Sequence, residues 1–342
     1  MTRQRLICLL DGIKKARICV VGDLFLDKYA FIDNKLDEPS LETGLTAYQA
    51  VGGRVSPGAA GTVLSNLCAA GVGKVSVVSM LGEDGDGYEV LKGLRRRGAD
   101  TGAVIQTEEI ITPTYFKPMF LGPDGAAATE GNRLDFKNRS VTPPELTRRM
   151  AAMAREAAAD ADALMILDQL TDADTGVVTS FMREELSRLA RENPSLLVFA
   201  DSRAFIHLFR DVTIKCNNIE AAKMTSGDPE FSEEVVCAAM SSLAERAGRP
   251  PFITCNIHGV ACMNDGLFTL VPAVRQEGPL DICGAGDACG AGIVAALCAG
   301  AGNAEAAFLG NLTAGVTVRK IGETGTASPE EILALYDEQF AR

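Results

Sequence analysis

Residues 280–292 read LDICGAGDACGAG and carry the residue types needed to transfer a group from a bound anion. Gly284, Ala285 and Gly286 form a turn that runs into an apolar Ala/Gly stretch, so the turn is expected to open a helix. The first N–H groups of a helix have no intrahelical partner, and the helix dipole adds roughly half a positive charge there. Together they form an anion site, and glycine lets a phosphate approach without meeting a Cβ. Asp287 is electrostatically out of place beside a phosphate that is merely bound. Its carboxylate makes chemical sense if it removes the proton from a hydroxyl attacking that phosphate. The plainer alternative is an aspartate that only caps the helix, worth about 1 kcal/mol.

Other phosphate fingerprints are missing. A GxxxxGK[ST] loop fails because Cys68 stands where the Gly73-Lys74 pair needs its first glycine, and no GxGxxG turn occurs. Asp27 lies just beyond an apolar run, at the kind of strand end where α/β sheets place ligands. Otherwise it is a solvated loop aspartate.

The elements that must hold these residues alternate in type. RICVVG (17–22), KVSVVSM (74–80), ALMILD (163–168), LLVFAD (196–201) and PFITC (251–255) read as buried strands. Between them, 59–71, 87–98, 143–159 and 174–192 have helical length and amphipathic spacing. That alternation predicts βαβ units and a mostly parallel sheet covered on both faces. Residues 28–55 and 105–140 break the pattern: they are polar, strand-like and punctuated by Gly and Pro, as in LGPDG (121–125). Neither folds alone, and together they are expected to form a small sheet, a lid beside the main one. The uncharged stretch 288–304 is rich in Gly and Ala and reads as a buried helix rather than a membrane span.

Composition narrows the function classes. The net charge of −12 disfavours nucleic acid and anionic membranes as partners, while leaving room for a locally positive site for a phosphorylated ligand. The chain has ten cysteines but no CxxC pair, and only two histidines, His207 and His258. A reduced, cytoplasmic protein without a zinc site is expected. LICLL near the N-terminus is too short for a signal-peptide core.

DICGAGD resembles the C-terminal signature of the ribokinase-like carbohydrate kinases, the phosphofructokinase-B family. The likeness runs from about residue 15 to 330 in motif order. It passes through VVGDLFLDKY (20–29), SPGAAGTVLSNLCAAG (56–71), GEDGDG (82–87), NRLDF (132–136), KCNNIE (215–220) and GETGTASPEE (322–331). GDLFLDKY, RLDF and GETGTAS are most like the heptose-7-phosphate kinase domain branch. The resemblance implies a single three-layer α/β domain over 1–342, with a mostly parallel central sheet and a small β-sheet lid from about 28–55 and 105–140.

It also implies an ATP-dependent kinase acting on a hydroxyl of a sugar or sugar phosphate, with ATP and Mg²⁺ as cofactors. Asp287 would be the general base, and Gly284, Ala285 and Gly286 would donate N–H groups to the γ-phosphate. Asp27 would hold acceptor hydroxyls beside Gly58, Ala59 and Thr62, with Lys117 and Arg133 as candidates for an anionic acceptor group. Asn217, Glu220, Thr254, Asn256 and Gly259 would lie at the nucleotide, with Glu220 near magnesium. The resemblance also suggests a monovalent cation, K⁺ being the candidate, near Asp281 and Cys283, and a homodimer paired through the lids.

The sequence departs from the family pattern at several positions. Cys216 replaces a proline and Asn256 a glycine. Ala59 and Thr62 stand where relatives carry Gly and Asn, and Met119 stands where an Arg is expected. ILDQLTDADTG (166–176) replaces SDYxKG. His258 reads as a loop residue and Cys289 as core. The alternatives are a nucleoside kinase of the same fold and a nucleotide-binding relative without transfer activity.

Overall fold

The structure, a computed structural model, describes residues 1–122, 125, 128–225 and 231–340. Pro123 and Asp124 of the expected 121–125 turn lie outside the described residues. The chain begins with α1 (Arg3–Ile13), β1 (Arg17–Gly22), β2 (Leu24–Ile32), β3 (Glu38–Pro39), β4 (Thr46–Ala47) and β5 (Ala50–Ala59). It continues through α2 (Ala60–Ala69), β6 (Lys74–Gly82), α3 (Gly85–Arg96), β7 (Asp100–Thr107), β8 (Thr114–Leu121), β9 (Ala128–Glu130) and β10 (Leu134–Phe136). Then come α4 (Pro144–Ala158), β11 (Ala163–Asp168), α5 (Ser180–Glu192), β12 (Leu197–Ser202), β13 (Thr213–Asn217), α6 (Asn218–Thr225) and α7 (Glu233–Ala247). The last elements are β14 (Phe252–Thr254), β15 (Val260–Asn264), β16 (Leu267–Val271), α8 (Ala285–Cys298), α9 (Asn303–Thr317) and α10 (Pro329–Phe340).

Nine strands form the large sheet in the order β16-β15-β14-β13-β12-β11-β1-β6-β7. Pairing is parallel from β14 through to β7, and only the β14–β15 and β15–β16 pairings are antiparallel, so β15 alone runs against the rest. Both faces are covered, which is why the strands read as unbroken apolar runs. In β1, Ile18 and Val20 join the core on the face of α2, α8 and α9, while Cys19 and Val21 join the core under α4, α5 and α7. This α/β architecture with a mostly parallel sheet is the one expected from the alternation of elements.

Helix α5 starts at Ser180, six residues later than the amphipathic spacing suggested. The cause is a buried carboxylate. Asp23, which follows β1, accepts N–H bonds from Gln169 (3.0 Å) and Val177 (2.7 Å), so residues 169–177 wrap around it instead of coiling. Thr179 then caps the helix, its hydroxyl accepting from the Met182 amide.

The second sheet is small: β10-β8-β2-β5, with β9 on the edge of β8. β2 pairs antiparallel with β5 and parallel with β8. Its strands reach back to Leu24 and forward to Ala59, beyond the expected 28–55 segment, whereas 105–107 belong to β7 in the large sheet. β2 follows β1 after a single residue, and β5 leads directly into α2. The two sheets are therefore joined at the C-terminal edge of the parallel strands, where Asp27 lies.

Candidate active site

Helix α8 opens at Ala285, with Gly284 before it at φ 76° and no side chain capping its first turn. A Cβ on Gly284 would come 2.6 Å from Thr324 Cγ2 and 3.2 Å from Thr62 Cγ2, so conformation and packing both demand glycine. The Ala285 amide is already engaged, donating to the Ile282 carbonyl at 3.1 Å. Among the described residues, the Gly284, Gly286 and Asp287 amides meet no protein acceptor, which leaves them to an anion.

Asp287 keeps partial solvent access, yet its carboxyl is pushed up to about 7. Burial is the main cause; the Asp201 and Asp27 carboxylates add to it, and Lys215 and Arg203 oppose it. A carboxylate titrating near neutrality is suited to taking a proton in the transition state. Beneath the turn, Lys215 Nζ and Asp201 Oδ2 form a buried ion pair at 2.5 Å, on adjacent parallel strands in register. A Cβ on Gly286 would lie 3.5 Å from that Lys215 ammonium, so the pair packs directly under the anion turn.

One wall of a cavity of about 690 Å³ is formed by Ala285 and Gly286; Asn217, Thr254, Asn256 and Gly259 also line it. Asn217 and Glu220 bond each other reciprocally at the start of α6. The Asn217 amide donates to Glu220 Oε2 (2.8 Å), and the Glu220 amide donates to Asn217 Oδ1 (2.8 Å). Burial raises the Glu220 carboxyl and Asp201 adds to the rise, while the Asn217 amide and the Lys215 and Arg203 charges counter it. Asn256, standing where relatives carry glycine, takes the left-handed backbone itself at φ 52°. Asparagine tolerates that conformation better than most residues. Gly259 has φ 106°, and His258 stacks on Phe231 with ring centroids 3.7 Å apart. Cys289 is buried in the core and also borders the cavity.

At the small sheet, Asp27 is buried on β2, with Lys117 Nζ of β8 3.5 Å from its Oδ1. Burial raises the Asp27 carboxyl despite the opposing Lys117, Arg133 and Arg54 charges. Lys117 loses stability as a cation through burial, but Asp27 and a 3.1 Å bond to the Tyr29 hydroxyl leave its pKa raised. A Cβ on Gly58 would sit 2.5 Å from Asp27 Oδ2, so Gly58 makes room for the carboxylate. Ala59 takes φ 53° and ψ −120°, a conformation glycine tolerates and alanine resists. Thr62 is buried, its methyl group near Gly284. Arg133 stacks 4.2 Å over the Tyr115 ring, and Asp135 engages its guanidinium through two bonds of 2.6 and 3.0 Å. The Thr62 methyl, in the helix that β5 leads into, lies 3.2 Å from where a Cβ on Gly284 would be, so the end of the small sheet adjoins the turn at the start of α8.

Asp281 and Cys283 lie just before the turn. The Asp281 carboxylate accepts N–H bonds from Cys283 (3.0 Å) and Gly322 (2.9 Å), drawing the 281–284 and 318–324 loops together. Arg54 of β5 stacks 4.3 Å over Tyr29 and donates through Nη2 to the Gly322 carbonyl, so a small-sheet side chain reaches the same loop. Among the described residues, no group of three or more His, Cys, Asp or Glu side chains could hold a metal ion.

Sequence reading passed over Asp23, Arg54, Asp201, Arg203 and Lys215. The signal for Asp201 and Lys215 was legible in part: a charge inside an apolar strand must find a partner.

Residues 15–331 match the pfkB family of carbohydrate kinases. The chain is 28% identical over 335 residues to the bifunctional protein HldE of Pelobacter propionicus, covering 97% of this chain and 66% of that protein. The figures for the Geobacter metallireducens protein of the same name are 28%, 97% and 65%. The chain thus spans just under two thirds of the length of these relatives. Among solved structures, it resembles Arabidopsis thaliana ribokinase complexed with ribose and ATP (TM-score 0.70, 16% identity, 94% of this chain and 98% of that one). Phosphofructokinase-2 from Escherichia coli in complex with potassium gives a TM-score of 0.72 at 14% identity, covering 96% of this chain and all (100%) of that one. At these identities the structural likeness establishes the ribokinase-like fold.

Proposed function

This chain belongs to the pfkB family of carbohydrate kinases, and from that premise we propose that it transfers the γ-phosphate of ATP to a hydroxyl of a phosphorylated sugar. The observation that carries the reading is the junction at Gly286 and Asp287. Amides free to bind an anion border a nucleotide-sized cavity, and beside them is a carboxylate that titrates near 7.

In this reading the nucleotide occupies the cavity lined by Asn217, Thr254, Asn256 and Gly259, and its terminal phosphate meets the Gly284, Gly286 and Asp287 amides. Glu220 is the residue that would hold magnesium at the nucleotide, and the ion would supply charge neutralisation there. Asp27 orients the acceptor, and Asp287 takes the proton of the attacking hydroxyl as the phosphoryl group moves. Preorganised donors of this kind are worth about 10²–10³ in rate where measured in other enzymes. The Arg54, Lys117 and Arg133 charges act together on Asp27, which favours an acceptor with its own anionic group, a heptose phosphate among the candidates, over a neutral nucleoside. A monovalent cation beside the Asp281–Cys283 loop would fit the same scheme.

Leu36, Leu41, Leu45, Tyr48 and Val51 expose large apolar side chains on the small sheet and its 33–49 excursion. That patch supports a homodimer paired through the lids, testable by analytical ultracentrifugation. Ten free cysteines fit a reducing cytoplasm. The described helices include none long and apolar enough to cross a membrane.

The test is ADP release from ATP over a panel of free sugars, sugar phosphates and nucleosides. We expect turnover with a sugar phosphate well above that with its unphosphorylated parent. Nucleotide binding without turnover on any acceptor, or turnover on nucleosides alone, overturns the reading.

A further inference from the structure

We propose that Arg203 is a phosphate-binding residue of this site, its guanidinium engaging the γ-phosphoryl group as it passes from nucleotide to acceptor. The inference deepens the kinase reading and rests on it. Arg203 is the first residue past the C-terminal end of β12. Parallel pairing sets Asp168 opposite Ser202 and Asp201 opposite Lys215; continuing that register brings Arg203 level with Asn217, at the edge from which α6 begins. Its backbone is fixed: the Arg203 amide donates to the Asp168 carbonyl (2.9 Å), and the preceding Ser202 hydroxyl donates to Asp168 Oδ2 (2.8 Å).

The side chain, by contrast, is uncommitted. It is solvent-exposed and, among the described residues, makes no ion pair or hydrogen bond. Lys215, the other cation here, is buried and held by Asp201. Arg203 acts on both Asp287 and Glu220, whereas the cations that act on Asp27 are Lys117, Arg133 and Arg54 of the small sheet. Arg203 therefore belongs to the space between the proposed base and the nucleotide side. Three carboxylates converge there, Asp201, Glu220 and Asp287, and a phosphoryl group arriving among them needs an accessible positive charge. A guanidinium offers a planar, bidentate fit to phosphate oxygens.

The test compares wild type with Arg203→Ala and Arg203→Lys. Calorimetric affinities for a non-hydrolysable ATP analogue and for ADP are read beside kcat on an accepted sugar phosphate. For Arg203→Ala we expect about tenfold weaker binding of the ATP analogue, ADP binding within twofold of wild type, and kcat lower by about 10²-fold or more. Arg203→Lys should recover part of both losses. The melting temperature should change little, because the side chain is exposed and, among the described residues, holds no ion pair or hydrogen bond. Equal weakening of ADP and the ATP analogue, or no change in either, overturns the assignment. If the wild type binds the analogue but phosphorylates no acceptor, the kinase reading fails by itself, and the ADP comparison still decides whether Arg203 meets a terminal phosphate.

Discussion

The two sides of the cleft are built by different means. The proposed nucleotide side is made largely of backbone: the Gly284, Gly286 and Asp287 amides, the left-handed Asn256, the φ 106° turn at Gly259 and the reciprocal Asn217–Glu220 bonds. Side chains make the proposed acceptor side, with Asp27, Lys117, Arg54 and Arg133 set against two tyrosines on an open sheet. Backbone geometry survives substitution as long as the new residue can adopt the same φ and ψ, as Asn256 does. A side-chain surface changes its ligand with each substitution. On the proposed reading, departures at Ala59, Thr62 and Met119 should therefore alter acceptor chemistry more than nucleotide chemistry.

Asp287→Asn should have the largest effect, since it removes the proposed base but leaves the amides in place. Turnover on a verified acceptor should fall by about 10²-fold or more, with ATP affinity nearly unchanged by calorimetry. Near wild-type turnover would refute the base assignment. Asp27→Ala should divide the two sides: acceptor kcat/KM drops by roughly 10–100-fold while the KM for ATP barely moves. Equal damage to both ligands would erase the distinction drawn above.

Titration gives the next effect. The Asp287 carboxyl titrates at about 7, and only its ionised form accepts a proton, so activity is lost as pH falls. kcat/KM should decline about tenfold per pH unit below that value, and a profile flat down to pH 5 would contradict it. Arg133→Met should raise acceptor KM only a few-fold, because Asp135 already shares the guanidinium. Ala59→Gly is the mildest change. It relieves the strained backbone and should stabilise the fold by about 1 kcal/mol in denaturant melts. A destabilised variant would mean that the alanine methyl contributes packing worth more than the strain.

Much of the architecture was legible because buried parallel strands announce themselves as apolar runs. β1 and β11 fall on the residues that the sequence indicated. The start of α5 was not legible, since its cause is Asp23, far away in the chain and visible only once β1 and β11 are side by side. The same holds for the cleft. The 281–287 motif marks the anion turn locally, whereas the Lys215–Asp201 pair and the approach of Arg54 to the 322 loop exist only through tertiary contact. The family resemblance implied amide donors at 284–286, whereas in the folded turn the Ala285 amide donates to Ile282 and, among the described residues, the Asp287 amide meets no protein acceptor.

Gly322 has a consequence for the order of events. Its N–H is taken by Asp281, which also grips Cys283 next to the phosphate turn, and its carbonyl is taken by Arg54 from the opposite half of the cleft. A shift of the small sheet therefore tugs, through two polar contacts and a single amino acid, on the segment that presents the amides. Under the proposed kinase reading, an acceptor that steadies the small sheet would also steady the turn that meets the nucleotide, and an empty acceptor position would leave that turn less firmly braced.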